Sequence, residues 1–254
     1  MCTHCRRGFA NACSNPRRAA YGWQRNGGMA QYLLAEEKDL VNLPDSLSFV
    51  DGAIVACSGA TVYQGLVRLA VSGKDQLLVV GLGPVGLSAL MLAKALGVST
   101  IVGVDNSPSR CALAQKFADH VIVGTPSLPE ENLAHLRTFT DGGFGFEKVL
   151  DCSGSAKGRE MGLKLTKSYG SMCLIGEGGS MTFDASNDLI HGQKTLLGSW
   201  VSQTWLVEEL VINMARWDLH LSDLVTHRYT LDQVGEAYKT MNDGQCGKVA
   251  VVFD

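Results

Sequence analysis

The sequence lacks the features that mark a polyanion binder, a membrane protein or a secreted one. Neither sign of charge predominates: 22 Lys and Arg stand against 25 Asp and Glu, a net of −3 with histidine neutral. No general attraction to nucleic acid or an anionic membrane follows from that balance. Five arginines crowd the first 25 residues (Arg6, Arg7, Arg17, Arg18, Arg25). They lack the alternation with aromatic side chains that a base-stacking platform requires, so a solvated loop is expected there. No apolar run approaches the roughly 20 residues that cross a bilayer, and the N-terminus lacks the apolar core of a secretory signal. Internal repeats, low-complexity tracts and long linkers are absent as well. These absences predict a cytoplasmic protein with neither nucleic acid nor membrane as a partner.

What is present is an ordinary core, with 46% hydrophobic and 19% charged residues. The length suffices for one large domain or two modest ones. The chain is organised around residues 77–105. Leu77–Val80 reads as a buried strand and runs into Gly81-Leu82-Gly83-Pro84-Val85-Gly86, a G-x-G-x-x-G turn. An apolar helix then extends to Leu96, Gly97 closes it, and a second strand from Thr100 ends on Asp105. Each part suits a dinucleotide. Gly81 permits the tight turn, Gly83 lets backbone approach a pyrophosphate, and Gly86 lets helix and strand pack closely. Pro84 lacks an N–H where none is needed. The remaining amides of the turn, Val85 among them, and the positive helix end face the phosphates. Asp105, 22 residues after Gly83, can hold the adenosine ribose hydroxyls. Its charge would oppose a 2′-phosphate by about 4 kcal/mol at a surface-like dielectric, which favours NAD over NADP.

Eight cysteines are many for a reducing compartment, where disulfides rarely persist. Cys2, Cys5 and Cys13 follow C-x2-C-x7-C, a spacing suited to a lobe wrapped on zinc; His4 lies between two of them, facing away. Most of the others sit in apolar contexts as small core residues. Strands are expected at Tyr32–Ala35 and Leu40–Leu43, and a short helix over Ser48–Cys57. After Asp105, strands and helices alternate, the pattern of a parallel sheet covered on both faces. The expected order is a helix from Ser107-Pro108 to Phe117, strand His120–Val123, helix Pro129–Phe139, strand Lys148–Asp151, helix Lys157–Lys167 and strand Ser171–Ile175. Beyond these come strand Leu196–Val201, helix Trp205–Trp217, strand Leu224–Tyr229, helix Leu231–Met241 and a closing strand Gly247–Phe253.

The cysteine lobe, Gly-Gly-Met-Ala-Gln-Tyr at 27–32, Leu-Pro-Asp-Ser-Leu-Ser-Phe at 43–49, Ala-Cys-Ser-Gly-Ala-Thr-Val-Tyr-Gln-Gly-Leu at 56–66 and the Gly81–Gly86 fingerprint occur in this order. The chain thereby resembles the medium-chain dehydrogenase/reductase superfamily, in its zinc-containing alcohol dehydrogenase branch, from Cys2 to Phe253. The resemblance implies an α/β fold, a Rossmann doubly wound parallel sheet plus remnants of a GroES-like, mostly β catalytic domain. It divides the chain into a partial catalytic domain with a zinc lobe (1–58), an NAD-binding domain (59–200) and a return to the catalytic domain (201–254). It implies reversible NAD-dependent oxidation of a small-molecule alcohol or polyol, and a homo-oligomer formed through the edge strand of the Rossmann sheet. Cys2, Cys5 and Cys13 match the last three of four structural zinc ligands, and Cys57 matches one catalytic zinc ligand. Taken alone, Cys57 reads as a small buried residue. The family's first lobe cysteine, its Gly-His-Glu motif and its proton relay match nothing in this chain and would precede Met1, so the main catalytic residues are not assigned. Zinc sites are expected to be incomplete and the chain inactive by itself; the alternative is a module that natively binds dinucleotide without catalysis. Arg110 matches a basic position beside the adenosine ribose or is a solvated helical charge. Lys248 matches a residue that reaches the pyrophosphate or is a plain strand lysine. Gly176–Gly179 matches a turn near the nicotinamide or is an ordinary turn.

Overall fold

A computed structural model describes residues 2–124 and 130–253. In chain order, helix α1 (Thr3–Arg6) opens the cysteine lobe, and helices α2 (Phe49–Ile54) and α3 (Ala60–Leu69) are joined by a π turn, Val55–Gly59. Strand β1 (Gln76–Val80), helix α4 (Pro84–Ala95), β2 (Thr100–Asp105), α5 (Pro108–Ala114) and β3 (His120–Val123) follow. Then come α6 (Glu130–Arg137), β4 (Phe146–Asp151), α7 (Ala156–Leu165), β5 (Thr166–Leu174) and β6 (Thr195–Gly198). Helix α8 (Thr204–Trp217), strand β7 (Val225–Tyr229), helix α9 (Val234–Asp243) and strand β8 (Lys248–Val251) complete the chain. These elements form two compact units, one of Met1–Ala60 with Val201–Asp254 and one of Thr61–Trp200.

The Thr61–Trp200 unit holds a six-stranded parallel sheet in the order β3-β2-β1-β4-β5-β6. Central β1 is buried along its whole length and β2 along all but its first residue. That burial is why both read as continuous apolar runs rather than alternating ones. The outer strands β3 and β6 are exposed at both ends. Helix α4 is buried from Gly86 to Ala93, so it has no polar face to show. Leu78, Val80, Val102, Val104, Phe146 and Val149 from the strands meet Leu133, Leu136, Met161 and Leu163 from α6 and α7. Each fully buried leucine among them contributes about 1.5–3 kcal/mol. The chain order reverses between β1 and β4, the switch point where such sheets bind ligands beyond their strand ends.

The other unit contains among its described residues one regular sheet, the parallel pair β7-β8. Strands expected at Tyr32–Ala35 and Leu40–Leu43 are not formed. A strand needs a neighbour to accept its ladder, and here Tyr32 and Leu34 stand 90% and 86% exposed. The expected short helix at Ser48–Cys57 is instead the start of a continuous 21-residue helix, Phe49–Leu69, long and apolar enough by composition to cross a membrane. That corrects the expectation that no apolar stretch reaches this length; 61% of its most apolar window is buried inside the protein, as in a core helix.

Smaller differences concern helix ends. Helix α5 stops at Ala114, and Ser107 caps it without a side-chain hydrogen bond, its hydroxyl pairing instead with that of Ser109 at 2.9 Å. Pro129, the expected start of α6, lies outside the described residues. A 3-10 turn, Leu231–Gln233, precedes α9.

Candidate functional site

Gly81 carries β1 into α4 with φ at +90°, a left-handed conformation that costs glycine nothing. Its amide donates to the Val104 carbonyl at 2.8 Å. Gly86 lies so close beneath it that a Cβ there would sit 1.8 Å from the Gly81 carbonyl oxygen. Gly83 is the contrast: it caps α4 in an extended conformation, and a Cβ added to it would meet nothing within 4 Å. Its open side is where backbone can close on a ligand. Pro84 takes the first helical position, Val85 follows it in the first turn, and Leu82 is fully buried against Gly103.

An open cleft of about 250 Å³ lies over this turn. Gly81, Gly83, Asp105, Asn106 and Arg110 line one side, and Cys152, Ser153 and Ser155 the other. Asp105 is 7% exposed. Its Oδ2 accepts from the Leu82 amide at 2.6 Å and its Oδ1 from the Ser107 amide at 2.8 Å. Arg110 stands 3.9 Å from Oδ2. The carboxylate therefore braces the glycine turn as well as facing the cleft, a bond the sequence reading did not anticipate. The Cys152 thiol is pushed well above its usual pKa by burial first and by the Asp151 charge second.

The far wall is organised by Asp151, which the resemblance sets at the start of a loop beside the adenine and ribose, and by Arg159, to which the sequence reading gave no role. Asp151, fully buried at the end of β4, accepts at Oδ1 from the Ser153 amide and hydroxyl at 3.0 and 2.6 Å. Its Oδ2 accepts from Arg159 Nε at 3.1 Å. Arg159, 8% exposed on α7, spends its other nitrogens on the Gly179 and Gly176 carbonyls, at 2.9 and 2.6 Å. A carboxylate closing an apolar strand must find a cation when buried. Arg159 is the first arginine after it, which is the signal that could have found the pair.

In the other unit, the Sγ atoms of Cys2, Cys5 and Cys13 lie within 4.8 Å of one another, the one group of three or more such ligands among the described residues. Backbone amides, Cys5 first and Ser14 next, lower the Cys2 thiol to about 5. Cys5 is raised by sharing hydrogen bonds with Cys13 and Cys2. Three converging sulfurs fit zinc by their donor chemistry; His4 is not among them. Cys57 sits in the π turn and is exposed, so its reading as a small buried residue is corrected. Among the described residues it joins no group of three ligands. Cys111, Cys173 and Cys246 are buried, as expected of core thiols. Lys248 is half-buried in β8. The structure thus gathers Gly81, Gly83, Asp105 and Arg110 around one cleft and Cys2, Cys5 and Cys13 around one centre.

The family model for zinc-binding dehydrogenase covers residues 84–217. The uncharacterised zinc-type alcohol dehydrogenase-like protein YphC of Escherichia coli (strain K12) is 46% identical over all of this chain and 71% of its own length. D-arabitol-phosphate dehydrogenase of Enterococcus avium is 29% identical over 98% of this chain and 70% of its own. Among solved structures, acetophenone reductase from Geotrichum candidum NBRC 4597 in complex with NAD superposes with a TM-score of 0.83. It is 26% identical, over 100% of this chain and 70% of that one. The chain belongs to the zinc-binding dehydrogenase family.

Proposed function

We propose that this chain serves a zinc-type, NAD-dependent alcohol or polyol dehydrogenase and supplies its cofactor site. One observation carries the reading: Gly83 presents bare backbone to a cleft at the sheet's switch point, with a carboxylate fixed on the cleft wall. The first-turn amides of α4 and its positive end bind the diphosphate. Asp105 accepts from the adenosine ribose hydroxyls, with Arg110 beside it offsetting part of its charge. That carboxylate also disfavours a 2′-phosphate, so NAD is preferred to NADP. NAD, when bound, supplies the hydride acceptor, and the protein's part is to place it.

Cys2, Cys5 and Cys13 hold a structural zinc, and Cys57 offers one thiolate to a catalytic zinc. The domain assignments follow the same reading: residues 59–200 bind NAD, and 1–58 with 201–254 belong to the catalytic domain. The substrate is a small alcohol, as the name of the arabitol-phosphate relative suggests. A cytoplasmic homo-oligomer, joined through the exposed edge of β6, completes the proposal.

Titration with NADH tests it: quenched protein fluorescence and a blue shift of nicotinamide emission are expected, and no change on mixing refutes it. A second reading has its own support, since Cys57 joins no group of three ligands among the described residues. On that reading the chain binds cofactor without turning over alcohol. Zinc-dependent NADH formation from an alcohol panel decides between them.

A further inference from the structure

The Arg159 guanidinium joins Asp151, at the end of β4, to the turn 176–179. Loop 152–155 leaves the end of β4 and turn 176–179 leaves the end of β5. The two run backbone against backbone: a Cβ on Gly154 would lie 2.0 Å from the Glu177 carbonyl oxygen, and one on Gly176 would lie 2.2 Å from the Gly154 amide nitrogen. Packing that close leaves no side chains between the loops to fix their relative position. The Asp151 carbonyl holds the start of the turn, accepting from the Ile175 and Gly176 amides at 3.0 and 2.9 Å, and side-chain contacts add to it. Asp151 Oδ1 holds Ser153, Asp151 Oδ2 holds Arg159, and Arg159 holds the carbonyls of Gly176 and Gly179. The turn is pinned at its tip as well, where the indole Nε1 of Trp200 donates to the Glu177 carboxylate. The Trp200 carbonyl in turn accepts from buried Gln64 at 3.3 Å.

The location gives this clamp a meaning. In a doubly wound sheet of this order the first three strands serve the adenosine half of a dinucleotide, and the strands beyond the switch point serve the other nucleotide. Gly81, Asp105 and Arg110 stand on the first half. Turn 176–179 stands beyond the switch point, and its carbonyls at 176 and 179 are turned inward to Arg159. Those two acceptors are committed to Arg159. Gly178, at the turn's tip, has φ at +86° and nothing within 4 Å of where its Cβ would be. The second nucleotide thus meets bare backbone again, as the diphosphate does at Gly83.

We propose that Arg159 is a positioning residue for the nicotinamide end of the cofactor, setting turn 176–179 through its two carbonyls without touching the ligand. The inference rests on the dinucleotide reading above. Its test compares NADH with ADP-ribose, which carries everything but the nicotinamide ring, by calorimetry on the whole chain. Arg159→Met is expected to weaken NADH about tenfold, the equivalent of one or two misplaced hydrogen bonds. It should leave ADP-ribose within about twofold. Arg159→Lys keeps the charge beside Asp151 but cannot reach both carbonyls from one nitrogen. It should show the same selective loss in smaller measure, and it carries the test should Arg159→Met fail to fold. Parallel weakening of both ligands would reduce Arg159 to a general fold stabiliser and overturn the inference. So would an unchanged NADH affinity, or a parent protein that binds ADP-ribose as tightly as NADH. A parent that binds neither overturns the cofactor reading itself.

Discussion

Replacing Gly83 and Gly86 by alanine separates binding from folding, because one methyl group does opposite things three residues apart. At Gly86 the new Cβ would sit 1.8 Å from the Gly81 carbonyl oxygen and 2.8 Å from its carbon. Neither neighbour is a flexible side chain, so β1 and α4 must move apart. Overpacking of this kind costs about 1–3 kcal/mol, which lowers the unfolding midpoint by about 2–12 °C for a domain of this size. At Gly83 the backbone is extended, φ −67° and ψ −174°, a conformation alanine adopts freely. Loss of a glycine N-cap costs at most about 1 kcal/mol, and the reduced freedom of the unfolded chain returns about 0.4–1 kcal/mol, so stability should stay close to that of the parent. The methyl group instead occupies the gap into which the diphosphate must come. Displacing one or two charge-assisted hydrogen bonds, each about 1.5–3 kcal/mol, weakens NADH by about ten- to a hundredfold or more. Thermal unfolding and NADH titration on the two variants check both halves. A Gly83→Ala protein that binds NADH like its parent would show that the cofactor's phosphates lie elsewhere. A Gly86→Ala protein that melts like its parent would refute the packing account.

Asp105→Asn should raise the NADPH-to-NADH affinity ratio at least about tenfold, since it removes a charge opposed to the 2′-phosphate; a constant ratio in parallel titrations argues against the assigned role. His220 donates from Nδ1 to Asp51 Oδ2 at 3.3 Å, and chiefly for that reason its pKa is raised above 6.5. The stability it contributes is therefore complete below pH 6.5 and is lost as pH rises through the raised folded value. His220→Gln should abolish that fall in melts scanned from pH 6 to 9, and a variant with the parent's pH profile excludes the pair as its source. Burial pushes the Asp51 carboxyl up, but the hydrogen bonds of Ser48 and Ser222 outweigh it and lower its pKa, so this share of stability is present above about 3.8 and lost on acidification through the folded value. Cys5→Ser should remove most bound zinc, because the converging trio loses its middle member; elemental analysis showing full retention would place the metal at another site.

The glycine turn and the inner strands were legible because their physics is local. A strand buried on both faces must be apolar throughout, as Leu77–Val80 is, and a tight turn under a helix must be glycine. Asp105 was found from spacing alone, yet its bond to the Leu82 amide was not, since that contact joins residues 23 apart along the chain. Arg159 was passed over for a related reason: on a helix it looks like any solvated charge until the turn it reaches has folded beneath it. The apolar stretches around Tyr32 and Leu40 have strand-like composition, but composition cannot supply the neighbouring ladder a strand requires. The π turn at Cys57 was invisible as well, because Val-Ala-Cys-Ser-Gly carries no residue that sets it apart from an ordinary helical segment, and with it the continuity of Phe49–Leu69 was missed.

The unit formed by Met1–Ala60 and Val201–Asp254 is assembled from both arms of the chain around an uninterrupted one. Asn11 in the cysteine lobe meets Gln203 at 2.6 Å, and Asp51 on α2 meets the Ser222 amide at 2.7 Å. None of these partnerships can form on the ribosome until residues 203 and 222 have been made, whereas the parallel sheet is complete once Gly198 has emerged. Synthesis at about 5–20 residues per second leaves the early arm waiting about ten to forty seconds for its counterpart, its thiols and its apolar helix face open to solvent. A nonsense mutation shortly after codon 200 would therefore spare the sheet and strand everything before residue 61.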